Sequence, residues 1–308
     1  GLGRMGSTFD DEMEHGGAIF LPYCHTPSYV ASPQTELVSG ADPHDEQRVI
    51  YGERWDLSPE HMYADYRDML EQEIPDIVSV CTTARIRSQI LIDVARSGAK
   101  AIWAEKPISL SLEEADEMIQ VCDELGVKVA VNTARRYNPY FAETRRKIDA
   151  GELGEILQVN VHGQCGLSHN GSHAIDALRY LAKGGNVEWV FGEMESDEAA
   201  SGENDLMGNG YLAFDNGVRG YVRGMPTGTA GREIDVIGTK GRIRCHEGPF
   251  EVEITKLSHD LGGTRPVPVK MPMPWPGAIK GTGITIVEDV VQAIESGSKP
   301  KASGEEGL

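Results

Sequence analysis

The chain reads as an α/β protein in two parts: a parallel-sheet domain over residues 1–133, and an α+β domain with a large, mostly antiparallel, open sheet over residues 134–308. Three observations predict this. Hydrophobic runs alternate with helical patterns up to about residue 133, as in a series of βαβ units. After Thr133 the pattern changes to strand-like runs separated by turn residues. The chain also opens on Gly1-Leu2-Gly3-Arg4-Met5-Gly6, a G-x-G-x-x-G run of the kind that joins a strand to a helix. No strand precedes that run, so the first, normally central, strand of the parallel sheet is expected to be missing.

Each element has its own justification. Pro22, Pro27 and Pro33 divide residues 7–33, which are expected to form an inserted surface loop with a short helix around Ser28–Ala31. The alternative is an excursion over the substrate pocket. Glu36–Asp42 reads as a strand ending on a carboxylate, followed by a helix. Asp76–Cys81 is a short, nearly continuous apolar run, as a buried parallel strand should be. Gln89–Ser97 has helical spacing and Gly98 suits its stop. Lys100–Glu105 is the next strand, and Pro107 cannot continue its ladder. Ser111 and Glu114 form a capping-box pattern before a helix ending at Gly126, and Val127–Val131 is the last strand of this half. In the second half, helices are expected at Pro139–Ala150 and His173–Leu181, with a strand at Ile156–Val161 between them. Asp215-Asn216-Gly217 between two strand-like runs predicts a hairpin. Arg265–Pro276 is proline-rich and reads as an irregular loop, and Ile284–Ser296 as a closing helix.

Composition narrows the function. With 40% hydrophobic and 25% charged residues, the 308-residue chain resembles an ordinary globular protein. Its net charge is −19, and neither Arg135-Arg136 nor Arg145-Arg146-Lys147 concentrates enough positive charge to overcome that field. Nucleic-acid binding is therefore not expected. No apolar run approaches the roughly 18 residues of a membrane span. The five cysteines are scattered and lack C-x-x-C spacing, which argues against a zinc site or disulfide framework and fits a reducing cytoplasm.

The candidate chemistry follows from position. Gly1, Gly3 and Gly6, with Arg4 and Met5 between them, would let a backbone turn and helix N-terminus approach a pyrophosphate. Asp42, at the end of the second strand, could accept both ribose hydroxyls of an adenosine and repel a 2′-phosphate, favouring NAD over NADP. Its other reading is a turn residue, because Asp-Pro is a turn dipeptide, and Arg48 is near enough to blur the preference. Lys106 sits where a parallel strand ends, the edge at which ligands bind, and could stabilise a developing alkoxide. His173 and Asp176 share a helix face, and the histidine suits proton transfer near neutral pH. A buried histidine satisfied by a carboxylate is the other explanation. His169 lies four residues before His173, a metal-ligand spacing, yet no metal is expected because a dinucleotide supplies the electron chemistry.

With these residues in place, the chain resembles the Gfo/Idh/MocA oxidoreductase family over essentially its whole length. The landmarks are the opening glycine run, Ala104-Glu105-Lys106-Pro107-Ile108, Arg136-Tyr137-Asn138-Pro139 with Gly151–Ile156, and Gly171–Asp176 running into Arg179-Tyr180-Leu181. Ile237–Ile243 and Ser303–Gly307 are weaker ones. The resemblance implies a Rossmann domain binding NAD, and a C-terminal substrate domain through whose sheet a homo-oligomer forms. It makes Lys106 and His173 catalytic, and Cys81, Thr82, Thr83 and Glu105 cofactor-lining. Arg136, Tyr137, His169 and Asp176 are candidate substrate contacts; the other reading of Arg136 and Tyr137 is packing at the domain junction, and that of Asp176 is fixing the His173 tautomer. Two departures stand out: Arg87 replaces a histidine often found there, and His169 stands where many relatives carry aspartate. The activity implied is oxidation of a secondary hydroxyl in a small polyhydroxy compound. NAD-dependent glycoside cleavage and a non-catalytic dinucleotide-binding sensor are the alternatives.

Overall fold

The computed structural model describes residues 1–13, 20–167, 170–197, 206–227, 232–247, 251–258, 267–274 and 280–307. The chain divides into two compact units, Gly1–Ala134 with Lys280–Leu308, and Arg135–Ile279. The closing helix, expected in the second domain, therefore belongs with the first.

In the first unit the glycine run leads into a single π-helical turn, Arg4–Thr8, and a 3₁₀ turn, Phe9–Met13, where a regular helix was expected. Asp10 helps to explain the difference. Its carboxylate accepts the main-chain N–H groups of Tyr23 and Cys24 at 3.0 and 2.9 Å, which folds the inserted segment back onto the glycine turn. Helix α1 (His25–Ala31) follows. It begins earlier than expected and is no surface excursion, because His25, Thr26, Ser28 and Tyr29 are buried.

The expected strand at Glu36–Asp42 shrinks to β1 (Gly40–Ala41), which pairs in parallel with β2 (Met62–Tyr63). Between them lies α2 (Asp45–Trp55), and α3 (Tyr66–Glu73) follows. A second parallel sheet has the order β3 (Ile77–Val80), β4 (Ala101–Ala104), β5 (Lys128–Val131). All four residues of β4 are fully buried, which is why it reads as an unbroken apolar run. Helices α4 (Ala84–Arg96) and α5 (Leu112–Leu125) bury Leu91, Val94, Met118 and Cys122 in the same core. Helix α5 starts as the capping pattern predicts, with Ser111 Oγ accepting the Glu114 N–H at 3.2 Å. It ends on Gly126 in the left-handed region, φ 74°.

The second unit carries α6 (Pro139–Asp149), β6 (Ile156–Gly163) and α7 (Gly171–Leu181). The strands β7 (Val187–Met194), β8 (Gly208–Phe214), β9 (Arg219–Gly224), β10 (Arg232–Gly238), β11 (Gly241–Glu247), β12 (Glu251–Ser258) and β13 (Val267–Pro272) follow. They form an eight-stranded sheet in the order β13-β12-β11-β10-β6-β9-β8-β7, in which β6 and β9 are parallel and every other neighbouring pair is antiparallel. Residues of α6 and α7 such as Phe141, Ile148, Leu178 and Leu181 share one core with Val159, Val161, Phe214 and Val236 of the sheet. The hairpin turn is as expected, with Gly217 at φ 85°.

The proline-rich stretch is not a loop throughout. Val267–Pro272 is β13, which among the described residues is an edge strand paired with β12 alone. Pro268 and Pro272 share a parity along the strand, so both imino nitrogens can face outward, where no ladder bond is needed. Helix α8 (Thr282–Ser296) closes the first unit, packing against α1, β4 and β5 through residues that include Ile286, Val287 and Val290.

Candidate functional site

In the first unit the candidate cofactor residues gather at the carboxyl ends of the parallel strands. A Cβ on Gly1 would lie 2.9 Å from the Cys81 carbonyl oxygen, and one on Gly6 would lie 2.6 Å from the Gly1 carbonyl oxygen. The chain's own backbone therefore requires those two glycines. Gly3 differs: a Cβ there meets nothing within 4 Å, and its φ is −77°. Neither crowding nor a left-handed backbone demands glycine at that position. The open space beside it suits the close approach of a pyrophosphate. The Thr82 hydroxyl is buried without a hydrogen-bond partner among the described residues, and Thr83 is the N-cap of α4. The residues present thus fit a dinucleotide. In the π-helical turn, Met5 is partly buried and the exposed Arg4 guanidinium is bonded to Glu12 at 2.7 Å.

Asp42 follows β1 and is 9% exposed. Its Oδ2 accepts the Leu2 N–H and its Oδ1 the His44 N–H, both at 3.0 Å. Burial favours the neutral acid, but these N–H donors outweigh it and hold the carboxyl below its ordinary value. His44 Nδ1 also lies 3.0 Å from Oδ1, so the turn role and the ribose role are compatible through the second acceptor site of Oδ2. Arg48 donates to the Asp42 carbonyl and to Asp45, each at 2.7 Å, so its charge is already engaged.

Lys106 is partly buried and follows Glu105, which is 6% exposed. Glu105 Oε2 accepts the main-chain N–H of Lys106 at 3.1 Å, and Oε1 accepts from Asn132 Nδ2 at 2.6 Å. His25 Nε2 lies 3.2 Å from the same Oε1, its Nδ1 is 2.8 Å from Ser79 Oγ, and its ring stacks on Trp103 at 3.7 Å. Burial opposes a charged imidazole there. Cys81 and the Glu105 carboxylate overcome that opposition and lift His25 to about 9. For Glu105 too, burial favours the neutral form, but His25, Asn132 and Lys106 keep it below its ordinary range. Sequence reasoning missed His25. Its partners Ser79 and Glu105 are 54 and 80 residues away, so no local pattern marks it.

The second unit holds the other candidates. His173 and Asp176 lie on α7 and are 7% and 5% exposed; Arg136 and Tyr137 are each 5% exposed. Arg136 Nε donates to Asp176 Oδ1 at 2.7 Å, and its guanidinium lies 5.3 Å from the Tyr180 ring centre. Two expected substrate contacts are therefore partners of each other. His169 falls outside the described residues. Among the described residues no three His, Cys, Asp or Glu side chains gather as a metal site, and no helix is long and apolar enough to cross a membrane.

Comparison with known proteins agrees with this layout. Residues 16–133 match the model of an oxidoreductase family with an NAD-binding Rossmann fold, and residues 162–244 match a GFO/IDH/MocA C-terminal domain. The chain is 31% identical over 257 residues to scyllo-inositol 2-dehydrogenase (NAD(+)) of Bacillus subtilis, covering 72% of this chain and 70% of that one. It is 25% identical to D-apiose dehydrogenase of Paraburkholderia graminis, covering 95% and 82%. Among solved structures, aldose-aldose oxidoreductase from Caulobacter crescentus superimposes with a TM-score of 0.76 at 20% identity, covering 92% of this chain and 88% of that one. Levoglucosan dehydrogenase, in complex with NADH and levoglucosan, gives the same score and identity over 92% and 89%. Sequence, fold and relatives converge: the chain belongs to the Gfo/Idh/MocA oxidoreductase family.

Proposed function

We propose that the protein is an NAD-dependent dehydrogenase that oxidises a secondary hydroxyl of a sugar, cyclitol or related polyhydroxy compound. The observation that carries this is the placing of Lys106 on the strand-end edge that also bears the glycine cradle, its main-chain N–H fixed by a buried carboxylate. Relatives named for inositol and apiose dehydrogenation support the substrate class. Gly1, Gly3 and Gly6 would hold the cofactor's phosphates, Asp42 its adenosine ribose, and Cys81, Thr82 and Thr83 would line it. When bound, NAD supplies the hydride acceptor. Lys106 stabilises the developing oxyanion, and His173 takes the hydroxyl proton, with Arg136, Tyr137, His169 and Asp176 shaping the substrate side. The buried, ionised Asp42 supports NAD over NADP, because it would repel a 2′-phosphate.

The open face of the large sheet would receive a second copy of the chain. Exposed Trp189 and Phe191, which share the face of β7 opposite the one carrying the core residue Leu212, support that arrangement. The functional test is a panel of sugars, cyclitols and their acids with NAD, read as NADH formation. Glycoside cleavage without net NADH, or cofactor binding with no turnover on any of them, would sink the proposal.

A further inference from the structure

We propose that His25 is a positioning residue for Lys106: it serves as the counter-cation of the buried Glu105 carboxylate, so that the Lys106 ammonium is directed to substrate rather than to Glu105. The inference rests on Lys106 being the catalytic lysine proposed above, and it concerns how that lysine is presented.

Glu105 is an acid kept ionised in a buried place, and such a charge must be answered by a partner. Its surroundings supply five groups from four residues. Asn132 and the Lys106 main-chain N–H are neutral donors; His25, Lys106 and Arg87 are the cations whose charge acts between themselves and Glu105. Arg87 is committed elsewhere, because its guanidinium donates to the carbonyl oxygens of Thr82 and Pro107. Lys106 has a long, flexible side chain on the residue next to Glu105. His25 is the rigid cation of the set. It is 1% exposed, stacked on Trp103 at an interplanar angle of 26°, and pinned through Nδ1 to Ser79 Oγ, which also bonds the Tyr29 hydroxyl at 2.9 Å. The groups facing it are Tyr29 on its own helix, Ser79 and Cys81 from β3 and its end, and Trp103 and Glu105 from β4 and its end. A purely structural ion pair would need only His25 and Glu105. Here the second carboxylate oxygen is spent on the peptide that begins Lys106. Loss of His25 would leave the carboxylate short of a charge, with Lys106 the adjacent cation able to turn toward it.

The experiment uses the full chain as His25→Leu, as His25→Gln, and as His25→Leu combined with Glu105→Gln. Lys106 is acylated with an amine-directed reagent across a pH series, and its labelling is quantified by mass spectrometry against the exposed Lys100. In His25→Leu the relative labelling of Lys106 at mildly alkaline pH should slow by about threefold or more, because an ammonium drawn to a carboxylate holds its proton more tightly. In the same variant kcat should fall by about tenfold or more while the substrate KM moves little, since a transition-state contact is lost. Adding Glu105→Gln removes the charge that captures Lys106 and should restore its labelling rate. If His25→Leu does not fold, His25→Gln, which keeps a donor without a charge, carries the same comparison with and without Glu105→Gln. Unchanged Lys106 labelling in a folded His25 variant overturns the proposal, even if turnover falls. If labelling shifts as expected but Lys106→Ala keeps full turnover, His25 does control Lys106, and the catalytic assignment of that lysine is what fails.

Discussion

Asp176→Ala should be among the most damaging single changes in the second unit. The Arg136–Asp176 pair is 2.7 Å long, and the two side chains are each 4% exposed. Removing the carboxylate would take this ion-pair partner away from a buried guanidinium beside the Tyr180 ring. Breaking a buried pair from one side costs about 3–5 kcal/mol. A domain of this size shifts its melting temperature by about 3 °C per kcal/mol, so the expected loss is roughly 10–15 °C. The assay is a calorimetric melt of the full chain, in which the transition of the second unit should move more than that of the first. Asp176→Asn, which keeps an acceptor without the charge, should fall between the parent and Asp176→Ala. Arg136→Met combined with Asp176→Leu should lose less than either single change, because both charges leave together. An Asp176→Ala melting temperature within about 3 °C of the parent would refute the reasoning, since so small a loss belongs to a solvent-screened pair.

Four further outcomes are expected. Asp42→Ala should narrow the preference for NAD(H) over NADP(H) in calorimetric titration, and tighter NADP(H) binding by the parent chain would contradict the assignment. Gly6→Ala should lower the melting temperature more than Gly3→Ala, because only the former meets backbone, 2.6 Å away, while Gly3→Ala should weaken cofactor binding. His173→Ala should reduce turnover by about a hundredfold or more with NAD affinity retained; early melting at an unchanged rate per folded molecule would instead mark a structural histidine. Stability should also depend on pH through His25, whose value rises from 6.5 to about 9 on folding. Its contribution is complete below about 6.5 and is lost as the pH climbs through 9, so the melting temperature should fall across that window, and less steeply in His25→Gln.

The parts of the fold legible in the sequence are those whose cause is local. β4 shows itself as Ala101–Ala104 because both its faces are buried, and α5 because Ser111 caps it and Gly126 ends it. The hairpin at Asp215-Asn216-Gly217 is legible for the same reason. β13 was hidden because prolines argue against strands in general, although an edge strand tolerates them on its outward side. Helix α8 shows helical spacing, but nothing in its sequence says that its apolar side meets α1 and the parallel sheet. The same limit applies to the site. Asp42 and Lys106 are visible because strand ends are where parallel sheets bind ligands. His25 is not, because its partners Ser79, Trp103 and Glu105 come from β3 and from β4 and its end, far along the chain, and the prolines around it suggest a surface loop.

Arg87 has a consequence for anyone who alters this protein. Its guanidinium ties the Thr82 carbonyl, after β3, to the Pro107 carbonyl, after β4. The segment that would line the nicotinamide and the segment that presents the lysine are thereby fastened together by one side chain. Substitutions in one should be epistatic with substitutions in the other, despite the sequence distance between them. A library that varies residues 81–83 to change cofactor choice would therefore be screened best with residues 105–107 varied alongside, and improvements found separately in the two segments should not be expected to multiply.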